Sequence, residues 1–319
     1  MLYPNQNLLP LCRQRGFCIC SSTKRCSGKP TEKWRSVFVK KNNITIVEGK
    51  ASFKDAQVVV VNEVEYIAQN IIIATGSKPA ILPIPGAESE IVLTSTNVLN
   101  MKELPESICV IGGGVISLEM ASYLNRFGVD AIVLEYAPQI LPNFDAEISK
   151  RLKMLLVKQG IKIETDAQVT AINEEGFVTY QKKGQEFKVE CNKVLMAVGR
   201  VPNIAELNLD TLGVSYTKKG IVADENMQTT VLHIYAIGDV NGKMMLAHVA
   251  TFQGYRALNH IRLKADKIQF NMVPTVVFTI PEVVSVGLTE VQCDDEELDH
   301  KVVKVPFGAV GKAVAMGRT

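Results

Sequence analysis

Three consecutive glycines, Gly112, Gly113 and Gly114, constrain this chain more than any other feature. They stand between the apolar run 108–111 and the helix-patterned string VISLEMASYLNRFG. With Val115, Ile116 and Ser117 they spell G-x-G-x-x-S. A strand that runs into such a turn and then a helix is half of a βαβ unit, which commits the surrounding sheet to parallel strands. Gly112 permits the tight turn, Gly114 lets a pyrophosphate approach the backbone, and a small Ser117 lets helix and strand pack closely. The helix N-terminus then offers N–H groups and the positive end of its dipole to the phosphates. The second strand, DAIVLEY, ends on Glu135, 23 residues after Gly112. A carboxylate there accepts from both ribose hydroxyls and repels a 2′-phosphate, so the motif points to NAD rather than NADP. The alternative is a packing turn beside a solvated glutamate. The strand–turn–helix–strand context favours the nucleotide.

The rest of the chain arranges itself around this unit. NITIVEGKASF, QVVVV and NIIIATGS read as short strands. SKPAILPIPGAES, with Pro79, Pro83 and Pro85, reads as a linker. ISKRLKMLLVKQG is an amphipathic helix with a glycine stop. IKIETDAQVTAINEE and GFVTYQKKGQEFKVECNKVLMAV alternate like hairpin strands around KKGQ. IYAIGDV is a buried strand ending in a Gly-Asp turn, and AHVATFQGYRALNHI is a helix. The tail carries strand-like TVVFT and HKVVKVPF. Residues 1–36 have no strand or helix period and are expected to be disordered.

Composition excludes several classes. With 35 basic and 33 acidic residues interspersed, the chain has no basic footprint for nucleic acid. No apolar run approaches the roughly 20 residues of a membrane helix, and the N-terminus is a poor signal peptide. Seven cysteines, an odd and uneven set, suit a reducing cytoplasm. Four of them, Cys12, Cys18, Cys20 and Cys26, crowd the start, and Cys109, Cys191 and Cys293 are scattered. The crowded four match no standard zinc spacing, so no metal site is expected.

Asp239 closes the IYAIGDV strand, at the end where open α/β sheets bind ligands, and there it can accept a sugar or ribitol hydroxyl. A simple turn aspartate is the other reading. Glu119 by itself reads as an early-helix acid that complements the dipole, and His248 as a structural histidine.

Together IIIATGSKP, SICVIGGGVISLEMA, VLEYAPQILPNFDAEI, KVLMAVGRVPN, VADENMQTTVLHIYAIGDV, MLAHVA and PTVVFTIPEVVSVGLTE resemble, in order and spacing, the pyridine nucleotide–disulfide oxidoreductases. The resemblance runs from about Lys41 to the end and is strongest to the dihydrolipoyl dehydrogenase branch. It implies an α/β fold: a Rossmann-like NAD-binding domain (101–222) inserted in a partial FAD-binding domain (37–100, returning at 223–268), then the start of an α+β dimer-interface domain (269–319). It implies that Gly112, Gly113, Gly114, Val115, Ile116 and Ser117 hold the NAD pyrophosphate, that Glu119 faces the nicotinamide, that Glu135 takes the ribose, and that Val169 and Gly199 line the site. It places Gly49, Thr75, Gly76 and Ser77 along FAD, Asp239 on the ribitol, and Met245, Leu246, Ala247 and His248 at the flavin ring. It implies NAD-linked oxidation of dihydrolipoamide or a lipoyl-bearing protein through FAD, in a homodimer.

The sequence departs from that pattern in three places. No second G-x-G-x-x-G precedes Ile111, Cys20 and Cys26 are spaced C-x5-C rather than C-x4-C, and no His-Pro base occurs before Thr319. The expectation is therefore a form shortened at both ends, with no catalytic residue identified and FAD binding weakened. A non-enzymatic NAD-binding fragment, or another disulfide reductase of the family, is the alternative.

Overall fold

The strand Ser107–Ile111 is the middle member of a five-stranded, wholly parallel sheet. Its order is Lys162–Glu164, Asp130–Leu134, Ser107–Ile111, Lys193–Met196, Val92–Leu93. A central parallel strand is covered on both faces, which is why it reads as an unbroken apolar run. Its side chains alternate between two cores. Ile108 and Val110 join Leu118, Ala121 and Leu124 of the helix Val115–Arg126 and Leu152 and Leu156 of the helix Ala146–Lys158. Cys109 and Ile111 face the other way, toward Val169, Val178 and Tyr180 of an antiparallel sheet formed by Gln168–Ile172, Phe177–Lys182 and Gln185–Glu190. Each fully buried Leu or Ile here contributes roughly 1.5–3 kcal/mol. The hairpin turn at Lys183 and Gly184 has positive φ at both residues, matching the twist of its strands.

The structure is a computed structural model that describes residues 17–20, 41–42 and 44–317. Its contacts divide the chain into two units: Met1–Ala80 with Gly199–Phe270, and Ile81–Val198 with Asn271–Thr319. The boundaries fall elsewhere than at 100/101 and 222/223. Val92–Leu93 pairs with Val194 and Leu195 at the edge of the parallel sheet, which carries 81–100 into that unit. Arg200–Pro202 pairs with Ser77–Pro79, and Leu207, Leu209, Leu212, Val214 and Ile221 fill the core of the first unit, which carries 199–222 there. That core also holds Phe53, Val61, Ile73, Ile234 and Ala236. Its strands are the parallel pair Ile71–Ile73 and Ile234–Ala236 and an antiparallel set, Ala51–Phe53, Val58–Val61 and Val64–Ile67.

Three local expectations are corrected. Lys193–Met196 is not an arm of the hairpin but the fourth strand of the parallel sheet, because it buries residues on both faces. HKVVKVPF forms no strand. Residues 301–306 are exposed and no strand pairs with them among the described residues, and a strand needs a partner for its N–H and C=O groups. Phe17–Cys20 is a strand, parallel to Thr45–Glu48, where no order was expected. The remainder of 1–36, including Cys12 and Cys26, lies outside the described residues. No helix among the described residues is long and apolar enough to cross a membrane.

Candidate functional site

The parallel strands place Gly112 and Glu135 at the same carboxyl edge of the sheet, one after each of two neighbouring strands. Gly112 has φ +105°, and a Cβ there would lie 2.6 Å from the Ala197 carbonyl oxygen, so only glycine fits. Glu135 folds back over the turn. Its Oε2 accepts from the Gly113 N–H and its Oε1 from the Ala137 N–H at 2.6 Å. A Cβ on Gly113 would meet that carboxylate at 2.9 Å, which gives the middle glycine a task the motif alone does not state. Gly114 is the N-cap of Val115–Arg126 and brings no side chain to the first-turn N–H groups. A Cβ on it would touch nothing within 4 Å. Ser117, fully buried, donates to the Ala197 carbonyl at 3.1 Å and knits the helix to the sheet.

A cleft of about 370 Å³ opens beside the turn, within the roughly 300–1,000 Å³ usual for small-molecule sites. Gly112, Glu135 and Val169 line it. So do Leu82, Ile84, Tyr136, Gln168 and Val198, which the sequence reading missed. Leu82 and Ile84 come from the proline-rich linker, whose composition signalled a connection rather than a wall. The aromatic–apolar walls and one carboxylate fit an adenine and its ribose. Glu119 stands apart from this cleft. Its Oε1 accepts from the Phe278 N–H at 2.8 Å, which ties its helix to the hairpin Thr275–Val277 and Val283–Ser285. Gly199 is exposed and belongs to the other unit.

In that other unit a second group assembles. Ser77 donates to Asp239 Oδ2 at 2.5 Å, and Arg200 donates to the Ser77 hydroxyl at 2.7 Å and its carbonyl at 2.9 Å. The guanidinium lies 3.6 Å from the same Asp239 oxygen. Thr75 and Gly76 are held by Asn203, whose side chain and N–H donate to their carbonyls. Buried Gln253, on the helix Ala247–Ile261, accepts from the Gly238 N–H at 2.6 Å and from Asn241 at 2.9 Å. It fixes the Asp239 turn against the helix that Leu246 caps and on which Ala247 and exposed His248 begin. Met245 sits just before that cap, half-buried. Gly49 has a packing reason of its own, since a Cβ there would strike Val61 at 2.5 Å. Arg200, Asn203 and Gln253 were missed. The string KVLMAVGRVPN held the first two, but only pairing with Ser77–Pro79 shows what they touch.

Residues 22–254 match the family described as pyridine nucleotide-disulphide oxidoreductase, and residues 273–319 match that family's dimerisation domain. The chain belongs to this family. It is 40% identical over 295 residues to a dihydrolipoyl dehydrogenase of Mycobacterium leprae, covering 88% of this chain and 63% of the relative. It thus spans less than two thirds of that relative's length. Among solved structures, the HOCl-induced flavoprotein disulfide reductase RclA of Escherichia coli aligns with a TM-score of 0.75 at 30% identity, over 90% of this chain and 69% of that one. LpdA of Mycobacterium tuberculosis shares the fold, with a TM-score of 0.80 at 24% identity over 91% and 66%. The mixed α/β architecture with the start of a dimerisation domain is that of pyridine nucleotide-disulphide oxidoreductases. Family membership brings with it the use of FAD and a pyridine nucleotide.

Proposed function

We propose that the cleft beside Gly112 binds NAD in preference to NADP, and that the chain is a dihydrolipoyl dehydrogenase-like flavoprotein oxidoreductase. The observation that carries this reading is the Glu135 carboxylate, held against the glycine turn at the sheet's carboxyl edge and lining the cleft. A carboxylate has about four acceptor positions, so two backbone N–H groups leave room for ribose hydroxyls. A 2′-phosphate would instead meet a fixed negative charge. Gly114 leaves space for the pyrophosphate, and the first turn of Val115–Arg126 supplies donors to it.

The FAD role implied for Ser77 and Asp239 suits the group they form with Arg200. Asp239 is an acceptor for ribitol hydroxyls, Arg200 holds its carboxylate in place, and Gln253 fixes the turn that presents it. Thr75 and Gly76 directly precede Ser77 in the chain, and Gly49 carries the same implied role along FAD. When bound, FAD supplies the two-electron exchange between a dithiol and NAD. Dihydrolipoamide or a lipoyl-bearing protein is the matching donor, a second copy of the chain is the matching partner for the segment 273–319, and a reducing cytoplasm suits the cysteines. The test is spectroscopic and kinetic: purified protein with added FAD should develop flavin absorbance in the visible and oxidise NADH with an artificial acceptor. Failure to bind either nucleotide would overturn the reading.

A further inference from the structure

The three glycines of the turn are not alike. Gly112 needs its left-handed backbone, and Gly114 leaves open space at the helix N-cap. Gly113 has neither reason to be glycine. Its φ lies outside the left-handed region, and it is buried. Both of its backbone polar groups are taken. The N–H donates to Glu135 Oε2, and the carbonyl accepts from the Leu141 N–H at 2.9 Å. That N–H is committed to a carboxylate and is not free for a phosphate. A side chain at this position would meet the same glutamate. An added Cβ lies 2.9 Å from Glu135 Cγ and Oε2 and 3.0 Å from its Cβ. Because the root of the side chain is among these atoms, rotation of its outer bonds cannot relieve the contact.

We propose, on the reading of the cleft as an NAD site, that Gly113 sets the choice between NAD and NADP. It is the positioning residue that seats the Glu135 carboxylate for a ribose hydroxyl. A glutamate side chain is long, and holding it in one place costs rotamer entropy. Two hydrogen bonds offset that cost, from the Gly113 N–H to one oxygen and from the Ala137 N–H to the other at 2.6 Å. Both go to a charged acceptor, which makes them the stronger kind. With Ala137 alone, the carboxylate could swing about a single contact. Gly113 closes the pair, and it does so only because no Cβ stands where the carboxylate must lie. Nucleotide choice is thereby separated from pyrophosphate binding, which falls to Gly114 and the first turn of the helix Val115–Arg126. A displaced carboxylate loses its hydrogen bonds to the ribose and no longer presents a fixed charge to a 2′-phosphate. NAD then weakens and NADP does not.

The experiment titrates NAD and NADP calorimetrically into the full chain, native and Gly113→Ala. The native preference for NAD, about tenfold or more from one hydrogen bond to a charged group, should shrink until the two affinities are nearly equal. The change should come from weaker NAD binding. Equal weakening of both nucleotides would assign Gly113 to the pyrophosphate, and an unchanged ratio would leave it no part in the choice. Either result overturns the proposal. Glu135→Gly removes every Glu135 atom that the added methyl meets, so in that background Gly113→Ala should change neither affinity. An effect that persists there overturns it too. A second measurement leaves Gly113 intact. Without nucleotide, the Gly113 amide should exchange with deuterium faster in Glu135→Gly than in the native chain, while the Leu141 amide keeps its rate. An unchanged Gly113 rate overturns the proposal even if Gly113→Ala fails to fold. Equal native affinities for NAD and NADP would overturn the NAD reading and this one together. A native preference that survives Gly113→Ala overturns this one alone.

Discussion

At Gly114 the backbone is extended, with φ −79° and ψ −175°, a conformation open to any residue. Only space for a ligand distinguishes it, because an added Cβ meets nothing within 4 Å. Gly114→Val should therefore leave the fold intact and abolish NAD binding, checked by circular dichroism beside calorimetric titration. Normal NAD affinity in a folded variant would remove the turn from the site. Gly112 is the contrasting case, required by the fold itself. Glu135 makes its own prediction. Like-charge repulsion and the loss of even one charged hydrogen bond, at roughly 1.5–3 kcal/mol, should make NADP bind about tenfold or more weaker than NAD. Equal affinities in parallel titrations would contradict it.

The helix Ala247–Ile261 is anchored by a charged pair near its end. Arg256 donates to both oxygens of Asp266 at 2.8 and 2.9 Å, to the Ile268 carbonyl at 2.6 Å and to that of Glu225 at 3.0 Å, and lies over the Phe270 ring. Arg256→Ala leaves Asp266, 10% exposed, without its partner. Removing one member of such a pair costs about 3–5 kcal/mol when burial is complete. Some solvent reaches this one, so the lower end is expected in urea unfolding. Burial alone would raise the Asp266 pKa. The Ile268 N–H, the Asn259 amide and Arg256 outweigh it and hold the carboxyl below its usual range. With the folded pKa depressed, this contribution is complete above the unfolded value of about 3.9. It is lost as pH falls through the lower folded value. The native protein should thus lose stability over that acid range, and Arg256→Ala should lose less there. Parallel acid profiles of the two would contradict the assignment.

Across the whole molecule, binding and turnover separate. The 319 residues hold both candidate nucleotide sites but no C-x4-C pair, and in the family that cysteine relay is the route by which a dithiol's electrons reach the flavin. This polypeptide should show dihydrolipoamide-dependent NAD reduction near background at saturating FAD, alongside measurable NADH-to-dye activity. Substantial dihydrolipoamide turnover that Cys20→Ser or Cys26→Ser abolishes would reverse this, by making those cysteines the redox pair.

Sequence by itself determined the βαβ unit, because strand, glycine turn and helix are each set by neighbours a few residues apart. It also placed Gly112 and Glu135, whose spacing is the geometry of two adjacent parallel strands. The helix Ala247–Ile261 was legible over its full length from its periodicity. Tertiary structure alone decided where Lys193–Met196 goes, since a short apolar run suits a hairpin or a buried parallel strand equally well. It decided that Glu119 answers the Phe278 N–H and that Arg200 and Gln253 hold the Asp239 turn. These contacts join residues from 15 to 159 positions apart. Local propensity reaches only the next turn or strand, so it carries no information about which distant side chain completes a hydrogen bond or fills a wall.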